Sequence, residues 1–285
     1  MQEYVNLALD AERALYGLTG ARVRHCEFDG PADGESALKE CREISVTDCT
    51  FRLRYPLWHI SDALIRDCTM TEGCRAPLWY TARTVLQHCK IDGVKALREC
   101  DHATVDGCEI VSEEFGWNCR NTTVRDTVLE SKYAFFGARD LHVSDLEFTG
   151  KYSFQYVENA DLDFCTLHTK DAFWHAKNVT VTDSILEGEY LGWYSENLTL
   201  VHCVISGTQP FVNCKNLTLI DCKMDPSCDL AFEGCEVNAT LRGTVTSVKN
   251  PLHGKIEADG YGEIIRDAQA KPDADCLVLT RPKPE

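Results

Sequence analysis

The chain has 285 residues, of which 44% are hydrophobic and 26% are charged, and these values are typical of a globular protein with a buried core. Its 29 lysines and arginines against 45 aspartates and glutamates give a formal net charge of -16, which repels phosphate backbones and anionic lipid surfaces. We therefore expect neither a nucleic-acid partner nor a membrane partner.

The first residues carry no basic segment and no apolar run, so they do not resemble a secretory signal. No later stretch approaches the roughly 18 consecutive apolar residues that a membrane-spanning helix requires. These observations predict a cytoplasmic protein. We expect residues 1–13 to cap the first coil of the repeat described next, because the repeat pattern starts only after them.

The 16 cysteines mark a repeat rather than a disulfide framework or a zinc site, since the chain is long, lacks a signal and contains no Cys-x-x-Cys pair. No metal and no cofactor are implied. Successive repeat anchors are separated by 23, 19 and 21 residues, then by seven steps of 19, then by 22. The anchors are Cys26, Cys49, Cys68, Cys89, Cys108, Thr127, Leu146, Cys165, Ser184, Cys203, Cys222 and Thr244.

Three apolar columns accompany these anchors and predict the fold. An aliphatic residue stands three positions before every anchor, as in Val46 and Ile65, and the other two columns lie two after and eleven before it. Each column belongs to a short segment that reads in, out, in, which is the pattern of a β-strand against a dry interior. Asp or Asn recurs between the segments, where a tight corner needs the left-handed conformation.

These patterns predict an all-β, single-stranded, parallel β-helix with about twelve coils of roughly 19 residues. The coils span 14–248 within a single domain of residues 1–285. Most cysteines would then form a ladder in the core. Residues 249–285 do not repeat, and we expect them to cap the last coil or to fold back along the helix. A leucine-rich repeat shares part of the pattern around Leu198, but its period of about 20–29 residues is longer.

The segment from Asp29 to Glu40, preceded by Glu12-Arg-Ala-Leu-Tyr16 and followed by Arg54-Tyr-Pro-Leu-Trp58, resembles a family of uncharacterised bacterial proteins. That family has the pectin-lyase-like, right-handed parallel β-helix fold, and the resemblance runs through the whole chain. It implies the fold and its handedness. It brings no established activity, and the sequence lacks the catalytic segments of polygalacturonases and the grouped aspartates of pectate lyases.

Two neighbouring columns, ten and nine residues before the anchor, predict an outward stripe of aromatic and ionisable side chains, because burying Lys39, Glu40, Arg98 and Glu99 would be costly. Aromatic rings beside polar groups suit sugars, which combine apolar patches with hydroxyls. The predicted ligand-binding residues are Trp58, Trp79, Trp117, Tyr156, Trp174, His175, Trp193 and Tyr194.

Within the stripe, consecutive coils carry candidates for acid and base catalysis. These candidates are Glu40, His59, Tyr80 and Glu99, with Arg98 beside them. Glu40 and Glu99 lie three coils apart, about 14 Å at strand spacing, which exceeds the carboxyl separation of glycosidases. If the protein is an enzyme, a lyase-like proton abstraction is therefore favoured over a two-carboxylate hydrolase.

The sequence leaves two functions open. The stripe predicts binding or processing of an oligosaccharide, and the same exposed aromatic surface is also typical of a subunit interface in a homo-oligomeric scaffold. A third explanation is that residues 249–285 cover the stripe, and a fourth is that the stripe is a plain structural ladder without a ligand or partner.

Overall fold

The computed structural model describes residues 2–30 and 35–282. Residues 31–34, which belong to the segment that carries the family resemblance, lie outside the described residues. The chain divides into two compact units, unit 1 with residues 1–147 and unit 2 with residues 148–285. All paired strands of the described residues run parallel, and the pairing repeats about every 19 residues through about 14 turns. The prediction of an all-β parallel β-helix is confirmed.

The described residues of unit 1 form fifteen strands, most of them short, and one 3-10 turn, η1, at Glu72–Cys74. Its strands are β1 (Gln2–Val5), β2 (Ala8–Leu9), β3 (Ala21–Arg24), β4 (Glu27–Phe28), β5 (Ser45–Thr47), β6 (Thr50–Phe51), β7 (Ser61–Arg66), β8 (Thr69–Met70), β9 (Ala82–Gln87), β10 (Lys90–Asp92), β11 (Asp101–Asp106), β12 (Glu109–Val111), β13 (Glu114–Phe115), β14 (Arg120–Ser131) and β15 (Tyr133–Ala134). Strand β16 (Arg139–Gly150) contains the unit boundary.

Unit 2 continues the same pattern of short parallel strands. Its strands are β17 (Glu158–Asp163), β18 (Thr166–His168), β19 (Lys177–Thr182), β20 (Ile185–Glu187), β21 (Glu196–Val201), β22 (Val204–Ser206), β23 (Leu217–Met224), β24 (Glu236–Arg242), β25 (Thr244–Lys249), β26 (His253–Ala258), β27 (Gly260–Ile265) and β28 (Leu277–Thr280).

The strand register follows the aliphatic column. In unit 1, Val23 pairs with Val46, Val46 with Ile65 and Ile65 with Leu86, and all four side chains are fully buried. In unit 2, Leu162 pairs with Val181 and Val181 with Leu200 in the same way. Inward residues therefore stack on their equivalents in the next turn, which is why one residue type persists along each column.

The third side of each turn, which carries the apolar column eleven residues before the anchor, differs from the strand that the sequence predicted there. Across most turns of the described residues this side is a run of turn residues, and two-residue strands occur there only at β13 and β15 of unit 1. The cause is an alternation of left-handed residues: Leu57 has φ 62° and His59 has φ 55°. Leu57 still points inward and is fully buried, so the in, out, in pattern is the same for this turn as for a strand.

The predicted corner residues adopt the left-handed conformation. Asp48 and Asp67 have φ of 52° and 53°, and Asn178 and Asn197 have φ of 53° and 56°. In unit 2 the corner asparagines also bond to one another. The Asn197 side-chain amide donates to Asn178 at 2.7 Å, and Asn216 donates to Asn197 at 2.8 Å.

Both segments expected as caps contribute strands. Strands β1 and β2, in residues 2–9, pair parallel with β3 and β4 and so add a turn before the predicted first coil. Strand β26 pairs with β24, and β28 pairs with β26, which extends the parallel sheet into the segment 249–285. These additions account for about 14 turns where the sequence predicted about twelve.

All 16 cysteines are free and buried. Their thiols donate to backbone carbonyls, as Cys74 Sγ does to Phe51 at 3.1 Å and Cys228 Sγ to Ile205 at 3.2 Å. Burial raises the pKa of the Cys74 and Cys228 thiols to about 12. Among the described residues, no helix is long and apolar enough to cross a membrane.

Candidate functional site

The first column of the predicted stripe forms a ladder in unit 1, which we call the indole ladder and which consists of Trp58, Trp79, Arg98 and Trp117. The rings of Trp58 and Trp79 stack with centroids 4.9 Å apart and planes 10° from parallel. The Arg98 guanidinium lies 5.1 Å from the Trp79 ring and 4.9 Å from the Trp117 ring. Lys39 covers the remaining side of Trp58 at 5.8 Å. The ring faces are therefore covered by neighbouring turns, and the ring edges remain accessible.

Each indole N–H of this ladder is bonded to the backbone. Trp58 Nε1 donates to the Ala76 carbonyl at 2.6 Å, Trp79 Nε1 to Lys95 at 3.1 Å, and Trp117 Nε1 to Tyr133 at 2.7 Å. Together with the stacking, these bonds fix the rings in half-buried positions.

Unit 2 carries a second ladder of the same kind. The rings of Trp174 and Trp193 stack at 5.2 Å with planes 2° apart. Their N–H groups donate to the carbonyls of Tyr190 and Gln209 at 2.7 and 2.8 Å. The side-chain amide of Gln155, in the same column, donates to Asp171 at 3.1 Å and so reproduces the indole bond.

The second column is more exposed than the first. The rings of His59 and Tyr80 stack at 4.9 Å in unit 1, and His175 stacks between Tyr156 and Tyr194 at 5.0 and 5.1 Å in unit 2. Tyr80, Tyr156 and Tyr194 are 42%, 51% and 45% exposed. All five residues have positive φ, so the column lies on a corner of each turn, where a side chain projects into solvent.

The predicted catalytic residues lie on consecutive turns of unit 1. The amide N–H of Glu40, of His59 and of Tyr80 each donates to the ladder residue of the following turn, at 2.9 to 3.1 Å. Among these side chains, the rings of His59 and Tyr80 stack on each other. Within the described parts of the chain, no hydrogen bond or ion pair joins Glu40 or Glu99 to His59 or Tyr80, and all four side chains are exposed. The structure assembles a stack of rings there, without an acid and base pair sheltered from water.

Arg98 is held away from these groups. Its guanidinium bonds to Glu114 at 2.9 Å while it lies between two indoles, and its side chain is 22% exposed. Glu114 is exposed to a similar extent, 19%, and lies 3.7 Å from Lys95. Arg98 therefore has a bonding pattern typical of a structural cation.

Sequence reasoning missed a groove beside the indole ladder, although its signal is the irregular spacing of 21 residues between Cys68 and Cys89. The two extra residues allow the 3-10 turn η1, whose Cys74 side chain is buried and bonded to Phe51. Gly73 packs so close to the preceding turn that a Cβ there would lie 2.4 Å from the Arg52 carbonyl oxygen. The insertion is thus tied to the core at Cys74 and to the neighbouring turn at Gly73.

Arg75 follows this insertion in a rare backbone conformation. Its φ of 51° and ψ of −61° form a γ-turn, closed by a 2.6 Å bond from the Ala76 N–H to the Cys74 carbonyl. The turn puts Arg75 at the rim of a groove of about 290 Å³, which we call the aromatic groove. Its lining consists of Tyr55, Trp58, Arg75, Ala76, Trp79, Val94 and Lys95.

A second, shallower groove adjoins the first and shares Arg75 and Val94 with it. Its other lining residues are Asp29, Gly30, Arg52, Leu53, Arg54, Glu72 and Gly73. The described residues contain no group of three or more histidines, cysteines, aspartates or glutamates arranged to hold a metal ion. The first groove is lined by aromatic and cationic side chains, and the second by side chains of both charges.

The chain belongs to a family described as "Protein of unknown function (DUF3737)", whose profile matches residues 2–279, and this membership confirms the resemblance found in the sequence. No curated protein matches the chain significantly.

Solved structures similar to this chain include PfbA, a surface adhesin of Streptococcus pneumoniae, at 8% identity and a TM-score of 0.40, covering 95% of this chain and 78% of the adhesin. The A-module of the Azotobacter vinelandii mannuronan C-5 epimerase AlgE4 matches at 10% identity and a TM-score of 0.35, covering 98% of this chain and 89% of the module. HetL, a pentapeptide repeat protein from the cyanobacterium Nostoc, matches at 12% identity and a TM-score of 0.24, covering 81% of this chain and 87% of HetL. Similarities at this level carry no conclusion about activity.

Proposed function

We propose that the protein binds an oligosaccharide in the aromatic groove of unit 1. The observation that carries this proposal is the groove itself, in which the rings of Tyr55, Trp58 and Trp79 adjoin the hydrogen-bonding side chains of Arg75 and Lys95. Sugars bind where apolar ring surface and polar groups converge on rigid structure. The bonds of the two indole N–H groups to backbone carbonyls make this wall rigid before any ligand arrives.

Tyr55 is the ring that we expect to contact a sugar most directly. The faces of Trp58 and Trp79 are occupied within the indole ladder, so they offer their edges to the groove. Tyr55 is tilted by 41° to Trp58 at 5.0 Å, and the Arg54 guanidinium lies 5.7 Å from its ring centroid. The residue is nevertheless partly exposed, so part of its ring surface is open to a ligand. Binding is favoured over processing, because the side chains of Glu40 and Glu99 are exposed and form no hydrogen bond or ion pair with His59 or Tyr80 within the described residues.

The test compares Tyr55→Ala with Tyr156→Ala, a matched removal of an exposed tyrosine from unit 2. Binding of cellohexaose and other neutral and acidic hexasaccharides is measured by calorimetry. We expect Tyr55→Ala to weaken the binding of any hexasaccharide that the unaltered protein binds by at least tenfold, and Tyr156→Ala to leave it unchanged. Equal affinities for both variants and the unaltered protein would overturn the placement in the groove, and no binding of any hexasaccharide would overturn the function.

Self-association through the exposed rings of Tyr156, His175 and Tyr194 is the second candidate, because three stacked and half-exposed rings form an unusually aromatic surface. Light scattering on the same two variants tests it. A mass that falls from a multiple to a single chain in Tyr156→Ala, with no change in sugar binding, would support a scaffold in which these rings form the interface.

A further inference from the structure

The two grooves of unit 1 are cationic in a strongly acidic chain. Their described lining contains four cations, Arg52, Arg54, Arg75 and Lys95, against two carboxylates, Asp29 and Glu72, whereas the whole chain carries a formal charge of -16. The seven residues that line the aromatic groove include two cations and no carboxylate. A local reversal of charge at a groove concentrates anions there.

The groove cations differ in how far they are already neutralised. Arg52 lies 3.0 Å from Glu27 and 3.7 Å from Asp29, so its charge is shared with two carboxylates. Lys95 lies 3.7 Å from Glu114, but Arg98 approaches the same carboxylate oxygen more closely, at 2.9 Å.

Arg75 differs from Arg52 and Lys95. Within the described residues it has no ion pair, and it is exposed. The Lys95 amide donates to the Arg75 carbonyl at 2.8 Å, so the two residues lie side by side on adjacent turns.

The position of Arg75 is enforced by its surroundings. The γ-turn holds it in a conformation that costs free energy, and the buried Cys74 and the close approach of Gly73 to Arg52 maintain that conformation. An arginine at such a position presents a planar fork that can bond two oxygens of one anion, and Lys95 adds a second positive charge from the next turn.

We propose that Arg75 and Lys95 bind an anionic substituent of the oligosaccharide, a carboxylate, sulfate or phosphate group. This inference rests on the proposed function, whose ligand class it narrows to acidic sugars. The neutral rings of the same ligand contact Tyr55 and the edges of Trp58 and Trp79, while the anion lies at the rim of the groove.

The test uses hexasaccharides that share a β-1,4-linked backbone and differ in the group at C6 and therefore in charge. The probes are cellohexaose, a hexamer of β-1,4-linked glucuronate, and cellohexaose bearing sulfate or phosphate at C6. We expect the unaltered protein to bind at least one charged probe at least tenfold more tightly than cellohexaose. This preference should shrink between about 20 and 200 mM salt, because surface charges are screened over a Debye length of about 10 Å at 0.1 M. The preferred probe identifies the anion.

Arg75→Gln and Lys95→Gln are compared with Arg66→Gln, which removes an exposed arginine of the same unit that bonds to Gln87 outside the grooves. We expect the first two variants to weaken binding of the charged probe at least tenfold and binding of cellohexaose by a clearly smaller factor, and Arg66→Gln to change neither. Far-ultraviolet circular dichroism verifies that each variant is folded. An equal loss for charged and neutral probes, or no loss in Arg75→Gln, would overturn the assignment.

The outcomes separate this inference from the function on which it rests. If neutral and charged hexasaccharides bind equally, the protein binds oligosaccharides and the anion site is wrong. A different outcome is that inorganic sulfate or phosphate shifts the backbone amide resonances of Arg75 and Lys95 while no hexasaccharide binds. That result would overturn both proposals, because the protein would bind no oligosaccharide and the two cations would bind an anion that is not part of a sugar.

Discussion

The stacked rings of Trp58 and Trp79 lie 4.9 Å apart, which is the spacing of neighbouring strands in a β-sheet. The side chains therefore repeat the geometry of the backbone beneath them. Because each ring face meets the residue of the next turn, the column serves first to hold turns together. Any ligand must use the edges that the stack leaves open.

The stack in unit 2 predicts a graded loss of stability. Trp193→Ala removes a half-buried ring, its contact with Trp174 and the N–H bond to Gln209. We expect the free energy of unfolding to fall by about 2 kcal/mol, below the range for fully buried tryptophan. Trp193→Phe keeps a stacked ring and loses the bond, so its loss should be about 1 kcal/mol. Urea unfolding measures both. A loss below about 0.5 kcal/mol in Trp193→Ala would contradict a stabilising ladder.

The asparagine corner of unit 2 predicts that glycine at position 197 destabilises the protein less than alanine does. Asn197 accepts a bond from Asn216 and donates one to Asn178, while its φ of 56° disfavours residues with a Cβ. Asn197→Ala loses both bonds and keeps the conformational cost, so we expect a loss of about 2 kcal/mol. Asn197→Gly loses the same bonds but relieves the backbone, and it should be the less harmful change. Thermal unfolding of the two variants ranks them, and a more stable alanine variant would show that the corner is not strained.

The register of the helix could be predicted from the sequence because each turn repeats the demands of the one before. Val46 and Ile65 occupy equivalent positions and pair directly. The left-handed third side could not be distinguished from a strand, since Leu57 is buried in either conformation.

The candidate site was predicted in part. The sequence identified Trp58 and Trp79 as an outward column, yet their bonds to the carbonyls of Ala76 and Lys95 depend on how the turns stack. The groove arises at the 21-residue spacing, where the extra residues fold into η1 and the Arg75 γ-turn. A repeat pattern predicts what recurs, and the repeats on either side of this insertion have the ordinary 19-residue spacing.

Burial of the cysteines predicts that their thiols react slowly in the folded protein. Cys74, Cys228 and Cys276 lie outside the regular columns, but all three are buried, and burial raises the pKa of each thiol. With a pKa of about 12 for Cys74 and Cys228, the thiolate fraction at pH 8 is about one in ten thousand. Because all 16 thiols are buried, Ellman's reagent should label none of them rapidly in the folded protein and all 16 in urea. Rapid labelling of one thiol in the folded state would identify a reactive cysteine, and mass spectrometry would locate it.

The bond between His253 and Asp275 predicts that the stability of the last strands of unit 2 depends on pH. His253 in β26 bonds through Nδ1 to Asp275 at 2.8 Å, and this carboxylate raises the pKa of His253 above its ordinary 6.5. A raised pKa in the folded state means that the stabilisation is fully present below pH 6.5 and is lost as the pH rises through the folded value. Asp275 precedes β28, which pairs with β26, so we expect amide exchange in Leu277–Thr280 to quicken above that value beyond the intrinsic effect of pH.

The matched variant is Asp275→Asn, which keeps the size of the side chain and removes its charge. Titration of the His253 ring by NMR should give a lower pKa in this variant than in the unaltered protein, because Asp275 is the largest cause of the raised value. The pH-dependent rise of amide exchange in β28 that remains after correction for the intrinsic rate should then be absent from Asp275→Asn. If His253 titrates identically in both proteins, the ion pair does not form in solution and the end of the sheet is held by other contacts, such as the Tyr261 hydroxyl, whose single proton is shared between the Ile256 and Leu279 carbonyls at 3.0 Å from each.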